Sequence, residues 1–172
     1  MLNIIKKAFP QIESNICLQT LTDSEFCIYD TDKKRCEIQT DPDGVKHFTI
    51  ENPTNRDIHF LAIDKCIFFD NDSIQRCDCA IFDNKTFCFI EIKEIDRKAK
   101  RSEHYHEAKE QLKSTIQHFH ERLTFPTKRI EAYACVGRTT ARPARPAADL
   151  NNQLEFEELG ATLYHGNIKR FA

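Results

Sequence analysis

A pair of apolar segments joined by a short polar stretch is the feature that most constrains the fold of this chain. The first segment runs from Cys77 to Phe82 and the second from Phe87 to Lys93, with Asp83-Asn84-Lys85-Thr86 between them. Both segments have the composition of buried strands, and the polar residues between them are typical of a tight turn. Strands with so short a connection pair antiparallel, so the sequence predicts a buried β-hairpin.

This hairpin also carries three charged side chains, those of Asp78, Glu91 and Lys93. Alternate residues of a strand share a face, so Glu91 and Lys93 are expected to point the same way. Asp78 lies on the adjoining strand, and its carboxylate is expected to converge with that of Glu91. Burying such charges is costly unless they pair or hold a metal ion, which is the first indication of chemistry.

Two converging carboxylates suit Mg²⁺, which prefers hard oxygen ligands. A bound ion lowers the pKa of water and neutralises charge that builds up on a scissile phosphate. Lys93 would orient or deprotonate the attacking water, or offset phosphate charge. Burial lowers the pKa of a lysine and nearby carboxylates raise it, so the sequence leaves these roles open. The alternative is a salt bridge at a sheet edge, with Lys93 paired to Glu91 or Glu94.

The periodicity of the remaining chain predicts a mixed sheet with helical cover. The region from Ser102 to Leu123 has apolar residues every three and four positions, as in an amphipathic helix. A second, shorter helix is predicted before Gly160, at 149–159. Further strands are predicted at 25–29, 34–39, 46–50, 58–63, 66–69, 130–136 and 161–165. The first three of these form an antiparallel meander, and the whole indicates an α/β (α+β) fold.

Length and composition agree with one globular domain over residues 1–172, with 40% hydrophobic and 30% charged residues. We expect residues 1–55 to form a helix and meander that extend a core over 56–172. The net charge is −2, so any site for a polyanion must be a local patch. The segment from Met1 to Lys7 lacks the apolar run of a secretory signal, and no stretch could span a membrane. A cytoplasmic location without membrane contact is therefore expected.

The eight cysteines are expected to act as small core hydrophobes, since most lie in apolar strand-like segments. A disulfide framework is not expected in a chain of this size without a signal peptide. Cys77 and Cys79 would share one strand face, and a zinc site there is the alternative.

The order of Asp78, a turn, Glu91-Ile92-Lys93, a helix and a strand resembles the PD-(D/E)xK, or restriction-endonuclease-like, nuclease superfamily over about residues 58–136. The resemblance implies a mixed sheet with a long helix after the Glu-x-Lys strand. It implies a Mg²⁺ (or Mn²⁺) ion held by Asp78, Glu91 and the backbone carbonyl of Ile92, with Lys93 as the catalytic lysine. It also implies that Gln111, on the following helix, reaches toward the site. Cys77 departs from the pattern, because it stands where the family has proline.

Basic residues follow the Glu-x-Lys strand and recur on a later loop. These candidates for a nucleic-acid-binding patch are Arg97, Lys98, Lys100, Arg101 and Arg142. The alternative is a solvated charged loop.

The sequence therefore predicts a metal-dependent nuclease that hydrolyses nucleic-acid phosphodiesters, with DNA favoured. No target-recognition domain is evident, so a homodimer or a subunit of a larger complex is expected, and a role in defence or repair is family analogy only. One alternative is a catalytically silent module of the same fold that docks a protein or nucleic-acid partner. Another is a cysteine-rich zinc-dependent interaction protein.

Overall fold

In a computed structural model of the protein, the described residues are 1–13, 16–31, 35–94, 101–126, 129–137, 144 and 150–171. The strands are β1 (Leu18–Leu21), β2 (Glu25–Asp30), β3 (Cys36–Ile38), β4 (Phe48–Glu51), β5 (Ile58–Ala62), β6 (Cys79–Phe82), β7 (Thr86–Lys93), β8 (Arg129–Val136), β9 (Ala161–His165) and β10 (Ile168–Arg170). The α-helices are α1 (Leu2–Ala8), α2 (Arg101–Arg122) and α3 (Leu150–Glu158), and short 3₁₀ turns occupy Pro10–Glu13 and Asp70–Asp72.

The strands form two mixed sheets, which confirms the general α+β class. The larger sheet has the order β1-β5-β6-β7-β8-β9, antiparallel from β1 to β7 and parallel from β7 to β9. The smaller sheet has the order β10-β4-β2-β3, with only the β10–β4 pair parallel.

The larger sheet is the middle of three layers. On one face, Phe119 of α2 packs against Phe89 of β7, with ring centroids 5.0 Å apart. On the other face, Phe48 of the smaller sheet packs edge-on against Tyr133 of β8 at 5.3 Å. Because both faces of β7 are covered, its residues from Thr86 to Ile92 are all buried, which explains the nearly continuous apolar sequence.

The predicted hairpin is confirmed. Cys79 pairs with Ile90 and Phe82 pairs with Phe87 in antiparallel register. The turn is held by Asp83, whose Oδ1 accepts hydrogen bonds from the backbone N–H groups of Lys85 and Thr86, each at 2.8 Å.

The predicted antiparallel strands near the amino terminus are present, but they are not a simple meander. β4 pairs with β2 rather than with β3, so β2 is the inner strand of the three. Phe26, Cys27 and Ile28 of this inner strand are consecutive buried residues, so both of its faces are covered. Residue 55 also does not separate the two sheets: β1 pairs with β5 in the larger sheet, and β10 joins β4 in the smaller one.

The prediction of a strand at 66–69 is wrong. The chain turns tightly here, since the N–H of Ile67 donates to the carbonyl of Ile63 at 2.9 Å and Lys65 has a positive φ of 62°. Cys66, Ile67 and Phe68 are nevertheless buried. The apolar sequence of this segment therefore indicates burial correctly. The buried residues belong to a turn and not to a strand.

The expectation for the cysteines is confirmed in part. Six free thiols are buried, but Cys17 and Cys66 form a disulfide, with Cα atoms 5.9 Å apart. The pairing of β1 with β5 explains it: the N–H of Ala62 donates to the carbonyl of Cys17 at 2.8 Å, so Cys17 lies beside the turn that follows β5. None of the described helices is long and apolar enough to cross a membrane.

Candidate functional site

The hairpin brings Asp78, Glu91 and Lys93 together, as their spacing predicts. Oε1 of Glu91 lies 2.9 Å from Nζ of Lys93, and Oε2 accepts a hydrogen bond from the backbone N–H of Asp78 at 3.1 Å. Oδ2 of Asp78 accepts a hydrogen bond from the backbone N–H of Ile92 at 2.6 Å. Glu91 is only 1% exposed, whereas Lys93 reaches partly into solvent.

The two carboxyl groups resist carrying two negative charges. Burial raises the pKa of Asp78 to about 7, although the hydrogen bond from Ile92 opposes the shift. Burial and the neighbouring Asp78 raise the pKa of Glu91 well above its ordinary value. The pair therefore shares a proton near neutral pH when no cation is bound.

Lys93 is a cation in this arrangement. Burial lowers its pKa, but the charges of Glu91 and Asp78 outweigh burial, so the net pKa is raised. Of the roles that the sequence left open, charge compensation therefore fits the cation-free site better than proton abstraction does.

The residues at this site fit a divalent cation. Asp78 and Glu91 provide carboxylate oxygens, and the N–H of Ile92 points toward Asp78. The N–H and the C=O of a strand residue lie on the same side of the strand, so the carbonyl of Ile92 also points to the Asp78 side. The carbonyl of Lys93 points the other way and accepts from the N–H of Gly137 at 2.8 Å. An ion with a preference for oxygen ligands would thus find two carboxylates and one carbonyl on one side of β7.

The smaller sheet adds groups that sequence reasoning missed. Asp30 and Cys36 are direct partners on β2 and β3, and their ligand atoms and one from Asp78 all lie within 4.8 Å of one another. Oδ1 of Asp30 is buried and has no hydrogen-bond partner among the described residues. In the sequence Asp30 has only the signature of a turn residue, so no local signal connects it to Asp78.

Hydrogen bonds through the ring of His47 hold the backbone of Asp30 in place. Its backbone N–H donates to Nδ1 of His47 at 2.9 Å, so Nε2 of that ring carries the hydrogen. Nε2 lies 2.6 Å from Oε1 of Glu94, which closely follows Lys93 in the chain. The two sheets are therefore tied together beside the site.

Gln111 contacts the backbone near the site rather than the carboxylates. Its Nε2 donates to the carbonyl of Arg76 at 2.9 Å, and Oγ1 of Thr115 on the same helix accepts from the N–H of Cys77 at 2.7 Å. Together these α2 residues fix the chain just before Asp78. Asp64 forms an ion pair with Arg76, the residue whose carbonyl accepts from Gln111.

Of the predicted basic patch, Arg101 can be described. Its side chain is exposed and its guanidinium donates to the carbonyl of Val136 at 3.4 Å. Val136 pairs with Lys93 in the sheet, so Arg101 lies at the same end of β7 as the carboxylates. The other members, Arg97, Lys98, Lys100 and Arg142, lie outside the described residues.

Comparisons of the chain with protein-family models, with curated proteins and with solved structures found no match. The function therefore has to be argued from the site itself.

Proposed function

We propose that the protein is a metal-dependent nuclease of the PD-(D/E)xK type that hydrolyses nucleic-acid phosphodiesters, with DNA as the favoured substrate. The observation that carries the proposal is the meeting of Asp78, Glu91 and Lys93 on one hairpin, within the contacts of 2.9 and 3.1 Å described above. Such a set of two acids and one cation is costly to bury, and a phosphate site with a divalent ion gives it a use.

The order of elements around the site also supports the proposal. An antiparallel hairpin, β6–β7, is followed by the 22-residue helix α2, which crosses over to β8 parallel to β7. The same order is what the resemblance to the restriction-endonuclease-like fold implies. The proposal therefore rests on the residues of the site and on this order of elements.

Each residue has a defined task in the proposed reaction. Asp78, Glu91 and the carbonyl of Ile92 would hold Mg²⁺ or Mn²⁺, which when bound activates water and neutralises charge on the phosphate. Lys93 remains protonated beside Glu91 and offsets the charge that develops on the scissile group. Gln111 acts on the chain before Asp78 and is a positioning residue. Arg101, with Arg97, Lys98, Lys100 and Arg142, would bind backbone phosphates.

The test is cleavage of plasmid, single-stranded DNA and RNA with Mg²⁺ or Mn²⁺ by wild type, Glu91→Gln and Glu131→Gln. Glu131 is the matched control, because it is an equally buried glutamate of β8 whose partner is Lys169 at 2.7 Å. Cleavage by wild type and Glu131→Gln but not by Glu91→Gln supports the proposal. Equal activity of wild type and Glu91→Gln across all three substrates would refute it.

One observation favours a catalytically silent binding module as the second candidate. Without a cation, both oxygens of Glu91 and Oδ2 of Asp78 already have partners, so the site is internally compensated. A silent module predicts nucleic-acid or protein binding that survives Glu91→Gln and no metal-stimulated cleavage by wild type.

A further inference from the structure

Asp30 and Cys36 form a second group of ligand atoms next to the proposed nuclease site. They face each other directly on the antiparallel strands β2 and β3, so their side chains leave the smaller sheet on the same face. Together with Asp78 they place two carboxylate oxygens and one sulfur within 4.8 Å of one another. Asp30 and Cys36 come from paired strands of the smaller sheet, and Asp78 directly precedes β6 of the larger sheet, so regular structure on both sides sets their positions.

A buried acceptor without a partner marks this group as incomplete. Oδ1 of Asp30 is inaccessible to solvent and has no hydrogen-bond partner among the described residues. An unsatisfied buried carboxylate oxygen costs free energy that a bound cation would recover. The backbone N–H of Asp30 donates to Nδ1 of His47, as described above, which fixes the main chain that carries this carboxylate.

The donor set discriminates between ions. Asp78 and Asp30 supply oxygen, and Cys36, which is 1% exposed, supplies sulfur. Thiolate ligands favour zinc and similar ions over Mg²⁺, which binds hard oxygen ligands and keeps its waters. Ligand atoms around a tetrahedral zinc ion lie about 3.5 Å apart, and the three ligand atoms here lie within 4.8 Å of one another before any ion is bound.

We infer that Asp30, Cys36 and Asp78 form a cation subsite for a borderline divalent ion of the Zn²⁺ class, which shares only Asp78 with the oxygen-only set of Asp78, Glu91 and Ile92. Binding replaces the thiol proton of Cys36 with the metal and releases that proton to solvent. The ion would join the smaller sheet to the hairpin through Asp78. This subsite goes beyond the proposed nuclease activity and does not require it.

Cobalt is the probe, because a thiolate bound to Co²⁺ gives a charge-transfer absorption band in the near ultraviolet. Wild type is titrated with Co²⁺ in the absence of thiol reductants. We expect the band to saturate at one ion per chain, to be displaced by Zn²⁺ and to persist in excess Mg²⁺. Absence of the band in wild type overturns the inference.

The variants identify the ligands. Cys36→Ser should abolish the band, and Asp30→Asn should weaken Co²⁺ binding about tenfold or more. Cys88→Ser is the matched control, because Cys88 is a buried thiol that contacts Oε2 of Glu131 instead, at 3.5 Å. The band should survive in Cys88→Ser and in Glu91→Gln. Circular dichroism shows whether Cys36→Ser is folded. A thiolate band that persists in the folded variant overturns the inference.

Should Cys36→Ser fail to fold, Asp30→Asn carries the test, because unchanged Co²⁺ affinity in it contradicts the proposed ligand set. The cobalt titration does not involve cleavage. A protein that binds Co²⁺ through Cys36 but never cuts nucleic acid would refute the proposed function alone. A protein that cuts DNA but shows no thiolate band would refute this inference alone.

Discussion

Oε2 of Glu91 accepts a hydrogen bond from the backbone N–H of Asp78, and the carboxylate of Asp78 accepts one from the residue after Glu91. Each acid is thus held by the backbone of the other's strand. The pairing of β6 with β7 therefore positions both carboxyl groups before any ion arrives. It also excludes water from Glu91, and the cost of that burial determines how the site responds to pH.

Stability without metal should fall as pH rises from about 4 to about 7. The pKa of Asp78 is raised from 3.8 to about 7, so in this window the folded protein holds a proton that the unfolded chain releases. The pKa of Glu91 is raised in the same direction, so its titration adds to the fall. Asp78→Asn removes this titration, so its stability relative to wild type should increase from pH 5 to pH 8. Urea unfolding in EDTA at several pH values measures the difference.

The exposed Asp43→Asn is the control for that experiment, and it should follow the wild-type profile at every pH. If the free energies of unfolding of wild type and Asp78→Asn keep a constant difference across the range, the shift assigned to Asp78 is wrong.

Metal affinity should rise with pH for the same reason. A cation at Asp78 and Glu91 must displace the protons that the raised pKa values keep on the two carboxyl groups, so affinity for Mn²⁺ should increase at least about tenfold per pH unit below pH 7 and level off above the higher pKa of the pair. Isothermal titration calorimetry in buffers of different ionisation enthalpy measures both the affinity and the proton release. Affinity that does not depend on pH, with no proton released, would contradict the assignment.

The sequence predicts those parts of the fold and of the site whose pattern lies within one short segment of the chain. The hairpin and its convergent charges follow from apolar segments, a short turn and strand alternation, and all three are visible within residues 77–93. Helix α2 is predicted by apolar residues that recur every three and four positions, and the structure places it at Arg101–Arg122. Gly160, predicted to end the second helix, has the positive φ of 71° that suits it to that position.

The rest depends on contacts between segments that are distant in the chain. β1 and β10 have four and three residues and only partial burial, so neither carries a recognisable pattern. The approach of Asp30 and Cys36 to Asp78 depends on which face of the large sheet the small sheet covers. Nothing in the local sequence of β2 or β3 specifies that packing, and so the sequence predicted the hairpin acids but not their neighbours.

Replacing Lys93 separates charge compensation from metal binding. Lys93→Met leaves Glu91 without its cation, but Glu91 can take up a proton, so the expected loss of stability is about 1–3 kcal/mol. Mn²⁺ affinity should stay equal or increase, since a competing positive charge is gone, while cleavage should fall about 100-fold or more. Calorimetry, urea unfolding and the cleavage assay give the three values.

Lys93→Arg is the matched variant, because it keeps the charge and changes the shape of the group. It should retain the stability that Lys93→Met loses. Wild-type cleavage by Lys93→Met would show that the lysine serves only to balance Glu91.

The disulfide between Cys17 and Cys66 should make a large contribution to stability, because it closes a loop with a sequence separation of 49. Loop-closure entropy for that length corresponds to roughly 4 kcal/mol, and measured values are commonly about 2–4 kcal/mol. We expect dithiothreitol to lower the melting temperature of wild type and to leave that of the Cys17→Ala/Cys66→Ala double variant unchanged. Thiol titration of the denatured protein should find six free cysteines before reduction and eight after it. Eight free thiols before reduction would mean that the two cysteines do not pair in the isolated protein, and melting should then not respond to the reductant.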